Sequence, residues 1–372
     1  MNILIAPDSM KDCLSAPEVA AAISKGIQKA FSKAKIVSIP MADGGEGTAY
    51  AMVKATDGTF ISNRVHDPLM RPIHAQWGIL GDGQTAIIEL AAASGLQLLK
   101  IEERNPWLTS SFGTGELIKY ALDKGCKNII IALGGSATND GGAGIMQALG
   151  ARLTTEQNQL LKTGGGYLQD LHKIDLSELD PRLEKIKITL ACDVKNPLTG
   201  PEGASRVYAK QKGADDMMAS RLDTNLILWA HKIKQAIGKD IEKIPGSGAA
   251  GGTCGGLMGL LNADIKGGFH MVAEAVKLET AISKADIIFT AEGKADKQTL
   301  QGKTPLGIAE IAQKYQKTVF MLCGSLEAED DFIKYGIHTV PIVTGPCSLD
   351  YAIQHAPLLL ENAAARIARL LK

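Results

Sequence analysis

The feature that most constrains this chain is a recurring unit: a short apolar run, a polar turn, and then apolar residues at helical spacing. Asn2 to Ala6 runs into Pro7-Asp8-Ser9, and Ala16 to Ala30 then follows a helical period, with Ser15 placed to cap it and Pro17 in its first turn. The unit repeats at Ile36 to Pro40, Met41 to Gly47 and Thr48 to Lys54. It returns late in the chain, where Asp286 to Thr290, Val319 to Cys323 and Thr339 to Val343 each precede a helical segment, and a last helix is predicted near Leu358 to Leu371. Serial strand–helix units predict a parallel sheet. Between them, Thr59 to Leu90 alternates in the manner of antiparallel strands, Asn128 to Leu133 and Ile186 to Cys192 read as buried strands, and 220–237, 248–261 and 270–284 read as helices. The pattern predicts an α/β fold: a discontinuous Rossmann-like parallel-sheet domain from 1–58 and 286–372, a second, mixed α/β domain inserted at 59–285, and an active site in the cleft between them.

Charge and cysteine usage narrow the function classes. Lysine plus arginine equals aspartate plus glutamate at 40 each, so no whole-molecule field draws the chain to nucleic acid or an anionic membrane. The six cysteines contain no C-x-x-C pair, and the seven histidines have no ligand spacing with them, which argues against a zinc site or a disulfide framework. The N-terminus lacks a signal-peptide pattern and no apolar run reaches bilayer length, so the expected compartment is the cytoplasm. The 40 glycines are clustered, and dense clusters at element junctions mark places where backbone must approach something closely.

In open α/β sheets the ligand lies beyond the carboxyl ends of the strands, and those ends are polar and glycine-rich in this sequence. They carry Asp8-Ser9-Met10-Lys11, Asp43-Gly44-Gly45-Glu46, the loop Gly134 to Gly142, Asp193-Val194-Lys195-Asn196, and Glu292-Gly293-Lys294 with Asp296 behind. The 134–142 loop offers backbone amides and the hydroxyls of Ser136 and Thr138 to an anion; it reads equally as a tight turn with Thr138, Asn139 or Asp140 capping the next helix. Glycines 248, 252 and 256 stand four apart, which on a helix would line one face with bare backbone, either for close packing or, at Gly246 to Gly248, for a phosphate. A strand-end carboxylate can cap a helix, hold Mg²⁺ or orient a hydroxyl. Neither common nucleotide fingerprint is present: Gly302-Lys303-Thr304 has Lys297 where a Walker A loop needs glycine, and no G-x-G-x-x-G follows the first strand.

Across residues 1 to about 350 these motifs resemble the glycerate kinase family found mainly in bacteria, which lacks a Walker A loop. The resemblance rests on the strand-end segments above together with Glu89 to Leu96, Ser111 to Glu116, Ala191 to Leu198, Gln211-Lys212-Gly213-Ala214, Pro245 to Gly252 and Glu292 to Lys303. It implies a two-domain α/β enzyme that uses ATP and Mg²⁺ to phosphorylate glycerate, typically at the 2-hydroxyl, in the breakdown of glyoxylate or aldarates. The sequence departs from the family pattern at Ala291, Lys294 and Ala295, at Asp12 and Cys13, and at Ala209-Lys210; a lysine at 294 cannot reproduce the bidentate grip of the arginine expected there.

On this basis the expected catalytic residues are Asp43, Asp193, Asp296 and Lys11. Gly134, Gly135, Ser136, Thr138, Asn139, Gly246, Ser247 and Gly248 are expected to meet the nucleotide phosphates. Asp8, Ser9, Lys11 and Lys294 are assigned to the substrate, and Asp193 and Glu292 to Mg²⁺. The expected partner is glycerate, acting on a monomer or homodimer with no nucleic acid and no membrane. A kinase for another small hydroxy acid, or a non-catalytic sensor of a phosphorylated metabolite, are the alternative readings.

Overall fold

The computed structural model describes all residues except 11–12, 297–298, 300–303, 328 and 372. The chain divides into two units, Met1–Asp43 with Gly268–Lys372, and Gly44–Gly267. The boundaries read from the sequence, 58/59 and 285/286, differ from these for a packing reason. Helix Thr48–Ala55 packs on strands of the second unit, whereas helices Gly268–Ala275 and Leu278–Lys284 pack with helix Thr304–Lys314 in the first.

Among the described residues thirteen strands are numbered in chain order. They are β1 (Asn2–Ile5), β2 (Lys35–Ser38), β3 (Thr59–His66), β4 (Pro72–Ile79), β5 (Thr85–Glu89), β6 (Asn128–Ala132), β7 (Arg152–Thr154), β8 (Lys173–Asp175), β9 (Lys187–Ala191), β10 (Asp264–Lys266), β11 (Ile287–Ala295), β12 (Thr318–Leu326) and β13 (Ile337–Pro341). In the first unit the order is β13-β12-β11-β1-β2, with every pairing parallel. Its core joins Ile3, Ile5, Phe289 and Leu322 to the apolar faces of helices Ala16–Ala30 and Ala356–Leu370. Those two helices approach so closely that a Cβ on Gly26 would fall 2.1 Å from the Glu361 carbonyl oxygen. A capping box opens the first of them, the Ser15 N–H donating to Glu18 at 2.8 Å.

The second unit carries β10-β9-β6-β5-β4-β3, in which β3, β4 and β5 are antiparallel and β5, β6, β9 and β10 run parallel. The alternating segment from Thr59 therefore forms the antiparallel half, as its period indicated. Ile/Leu-bearing β6 and β9, covered on both faces, supply the centre of a core that also encloses Trp77 and Trp229. β7 and β8 form a separate two-stranded sheet.

Two sequence expectations need correction. The helix read from 248 starts only at Thr253, because Ala250, Gly251 and Gly252 take φ of 53°, 63° and 86°, which a right-handed helix cannot hold. Glycines 248 and 252 thus lie in the turn before the helix, and of the three only Gly256 is helical; its bare Cα lets the Gly141 carbonyl approach to where a Cβ would sit 2.0 Å away. The strand expected to end at Thr290 continues to Ala295, since β12 is equally long and pairs with it up to Leu326. Glu292, Gly293 and Lys294 are strand residues, not loop residues. Among the described residues no helix is long and apolar enough to cross a membrane.

Candidate active site

Parallel pairing places the carboxyl ends of all strands in the first unit along one sheet edge, and the candidate carboxylates follow from that. Asp8 lies three residues past β1, its N–H reaching the Ala291 carbonyl of β11 at 3.4 Å. The chain after β2 is drawn beside it, Met41 N–H donating to the Pro7 carbonyl at 2.9 Å, which brings Asp43 to the same edge. Asp8 accepts the Ser9 N–H at 2.7 Å on one oxygen and the Thr304 hydroxyl at 2.7 Å on the other. Burial pushes its pKa from 3.8 up to about 7; the negative charges of Asp43 and, less strongly, Glu292 push in the same direction, against the two hydrogen bonds. Asp8, Asp43 and Glu292 are therefore one electrostatic group.

Lys294 points elsewhere: its ammonium lies 3.0 Å from Glu327 and 3.6 Å from Asp296, with about half the side chain in solvent. The Asp296 N–H donates to the Thr299 hydroxyl at 3.2 Å. Lys11 and Lys303 lie outside the described residues.

In the second unit, loops from the parallel strand ends meet backbone to backbone. Gly134 donates its N–H to the Gly44 carbonyl at 3.2 Å, and a Cβ on Gly134 would fall 2.4 Å from the Gly45 Cα. Gly141 N–H donates to the Gly251 carbonyl at 3.0 Å, and Gly248 N–H donates to the Asn196 carbonyl at 3.0 Å. A Cβ on Gly251 would sit 2.0 Å from the Thr138 oxygen, and one on Gly248 2.2 Å from the Pro197 oxygen. The expected phosphate residues of 134–139 and 246–248 and the Asp193–Asn196 segment are thereby brought into one cluster, with Asp193 half-buried just beyond β9.

Within this cluster Asp140 is a structural hub. It is fully buried and accepts the Ser111 N–H and hydroxyl, each at 2.8 Å, and the N–H groups of Gly142 and Gly144. Asn139 donates to the Ser205 hydroxyl at 2.9 Å. By contrast, the hydroxyl oxygens of Thr138, Ser247 and Thr253 and the amide oxygen of Asn139 are buried with no protein hydrogen-bond partner. Orphaned buried oxygens are rare in proteins and mark places where something else completes the bonding.

Sequence reasoning gave no role to three residues that the structure singles out. Lys212 is fully buried, and its ammonium donates to the Ser136 hydroxyl and the Thr138 carbonyl, both at 2.7 Å. Burial lowers its pKa from 10.5 to about 7, opposed by the Asp140 charge. Glu89, the last residue of β5, accepts the Ala49 N–H at 2.8 Å, and burial raises its pKa from 4.5 to about 7. Thr304 is the hydroxyl donor to Asp8. Glu89 and Lys212 lay inside segments that carry the family resemblance, which was their only signal; Thr304 stood only in the Gly302-Lys303-Thr304 triplet set aside as a Walker A loop.

The sequence profile of the Glycerate kinase family matches residues 3–372. The chain belongs to the glycerate kinase family. It is 48% identical to the glycerate 2-kinase of Escherichia coli (strain K12) over 373 residues, covering 100% of this chain and 98% of that protein. It is 46% identical to the glycerate kinase of Bacillus subtilis (strain 168), with the same coverage. A crystal structure from Salmonella typhimurium LT2, assigned as a glycerate kinase 2, superposes with a TM-score of 0.84 at 45% identity, covering 100% of this chain and 98% of that one. The glycerate kinase fold is thus shared over the full length.

Proposed function

We propose that this protein transfers the terminal phosphoryl group of ATP to a hydroxyl of D-glycerate, with 2-phosphoglycerate as product, in the cytoplasmic breakdown of organic acids such as glyoxylate and aldarates. The observation that carries the reading is a carboxylate at a strand end, Asp8, whose proton affinity is tuned to neutrality by burial and by Asp43 and Glu292. A group with a pKa near the working pH is suited to take the proton of an attacking hydroxyl, and phosphoryl transfer otherwise needs mainly positioning and charge neutralisation. This gives Asp8 the role of base, in addition to the substrate contact read from the sequence. Asp43 and Asp296 orient the acceptor, and Ser9 fixes the Asp8 carboxylate through its N–H.

The orphaned hydroxyls of Thr138 and Ser247 fit a phosphate chain, since hydroxyl donors lacking protein partners can complete their bonding on phosphate oxygens; the Asn139 amide can offer a phosphate only its NH₂ group, one N–H of which donates to Ser205. Ser136, already held by Lys212, keeps its own proton to donate. Among the described residues no three His, Cys, Asp or Glu side chains are arranged to hold a metal by themselves. Mg²⁺ takes one or two carboxylates and fills its shell with phosphate oxygens and water; Glu292 and Asp193 are the residues assigned to it. When bound, Mg²⁺ offsets phosphate charge. Lys294 reaches an anionic substrate only by leaving Glu327.

The test is ADP release by purified protein given ATP, Mg²⁺ and D-glycerate, with phosphorus NMR of the product and a panel of small hydroxy acids. ADP release dependent on another acid moves the substrate assignment. Absence of any acceptor-dependent release, together with tight phosphoglycerate binding, would leave a sensor in place of an enzyme.

A further inference from the structure

Glu89 is a largely but not fully buried carboxylate that the proposed chemistry does not use. Its surroundings are unusual for a structural acid: among the described residues no lysine, arginine or histidine pairs with it, and the charged group set against it is another acid, Glu46. Its partners are backbone N–H groups, Ala49 at 2.8 Å and Gly47. Helix Thr48–Ala55 is preceded at its cap position by Gly47, in the left-handed region at φ 87°, and glycine has no side chain with which to cap it. Glu89 supplies that cap from the end of β5. The turn it holds, Gly44 to Gly47, is gripped on its other side by Gly134, the first residue of the glycine-rich loop, through the 3.2 Å bond to the Gly44 carbonyl. The segment after Glu89 then runs along the same loop: Leu96 N–H donates to the Gly135 carbonyl and Ala137 N–H to the Ser94 carbonyl, both at 2.9 Å.

We infer that Glu89 is a positioning residue for nucleotide binding: its ionised carboxylate fixes the Gly44–Gly47 turn, and through that turn the Gly134–Asn139 loop that receives the phosphates. The inference rests on the proposed phosphate site. An ionised acceptor bonds two N–H groups more strongly than a neutral one, so the loop is best ordered above the pKa of Glu89 and loosens below it, where a proton also relieves the Glu46 repulsion.

Glu89→Gln keeps the shape and an acceptor oxygen but cannot titrate; Glu89→Ala removes the cap. A charge-assisted cap of this kind converts to about a 10- to 100-fold change in binding. For the full-length protein, calorimetry with Mg·ADP is expected to show that loss in Glu89→Ala, with substantial recovery in Glu89→Gln, and the KM for ATP is expected to rise while the KM for glycerate holds. The wild-type dependence of Mg·ADP affinity on pH near 7 should be reduced in Glu89→Gln, the remainder belonging to Lys212, which titrates in the same range against the same loop. Hydrogen exchange at Gly44–Ala49 and Gly134–Asn139 supplies a readout that needs no activity. Faster exchange at both segments in Glu89→Ala without any change in Mg·ADP affinity would refute the phosphate-site reading and leave the mechanical coupling standing. Exchange confined to Gly44–Ala49, or an unaltered pH dependence in Glu89→Gln, would overturn the inference itself.

Discussion

Replacing Lys212 with methionine should make the second unit's stability less dependent on pH, by an amount the structure sets. The lysine is fully buried and its pKa falls from 10.5 to about 7. A depressed lysine pKa means that between about 7 and 10.5 the unfolded chain holds a proton that the folded one has released, so stability rises with pH through that window and is flat below it. From pH 9 to pH 7 the folded state therefore loses about 1.4 kcal/mol per pH unit, less a fraction of a kcal/mol because the folded group is itself half-protonated at 7; about 2 kcal/mol remains. Methionine fills a similar volume and cannot titrate. It also leaves the Thr138 carbonyl without its donor, a cost that does not vary with pH. Trp77, Trp107 and Trp229 all belong to the second unit, so tryptophan emission during urea unfolding reports on that unit alone. The stability of wild type minus variant is expected to drop by about 2 kcal/mol between pH 9 and pH 7. A difference that stays constant across that range would show that Lys212 keeps its proton throughout, and the account of its burial would fail.

Asp8→Asn should lower kcat by about 10²- to 10⁴-fold, in line with loss of a general base, while circular dichroism stays unchanged; wild-type turnover would remove Asp8 from the chemistry. Thr304→Val deletes a hydrogen bond that favours ionised Asp8, so the acid limb of the rate profile should move to higher pH, with a larger rate loss at pH 6.5 than at pH 9; an unmoved limb separates Asp8 from that limb. Gly251→Ala places a Cβ 2.0 Å from the Thr138 oxygen at a φ of 63°, and should destabilise the second unit by about 1–3 kcal/mol in the same urea assay, with a full-strength variant arguing against the loop contact.

The fold was legible where local period and burial agree. The β1–loop–helix unit and the alternating Thr59–Leu90 stretch each carried a period that the structure matches, and the short apolar runs of β6 and β9 had the length of buried strands. Readings failed where tertiary pairing or backbone sign decides the outcome. Nothing local says that β11 continues through Glu292 and Lys294; its equally long partner β12 determines that. The glycines at 248 and 252 have helical spacing, but three consecutive positive φ values, including that of Ala250, break the helix ahead of Thr253. At the site, strand-end acids could be found by position. Lys212 and Glu89 could not, because a lysine or glutamate in a motif looks the same whether solvated or buried. Their burial comes from loops far apart in sequence, as when Lys212 meets Ser136 and Thr138.

The first unit's sheet has a consequence for how the chain is made. β1 lies between β2 and β11, so one of its edges stays unpaired until the whole of Gly44–Gly267 has been synthesised and β11 follows. Closing so long an intervening segment adds little to the equilibrium cost, which grows only with the logarithm of its length, yet it delays the pairing. A nascent chain of this protein thus carries an apolar strand with an open edge for much of its translation, and folding assistance or crowding should act on that interval more than on the finished molecule.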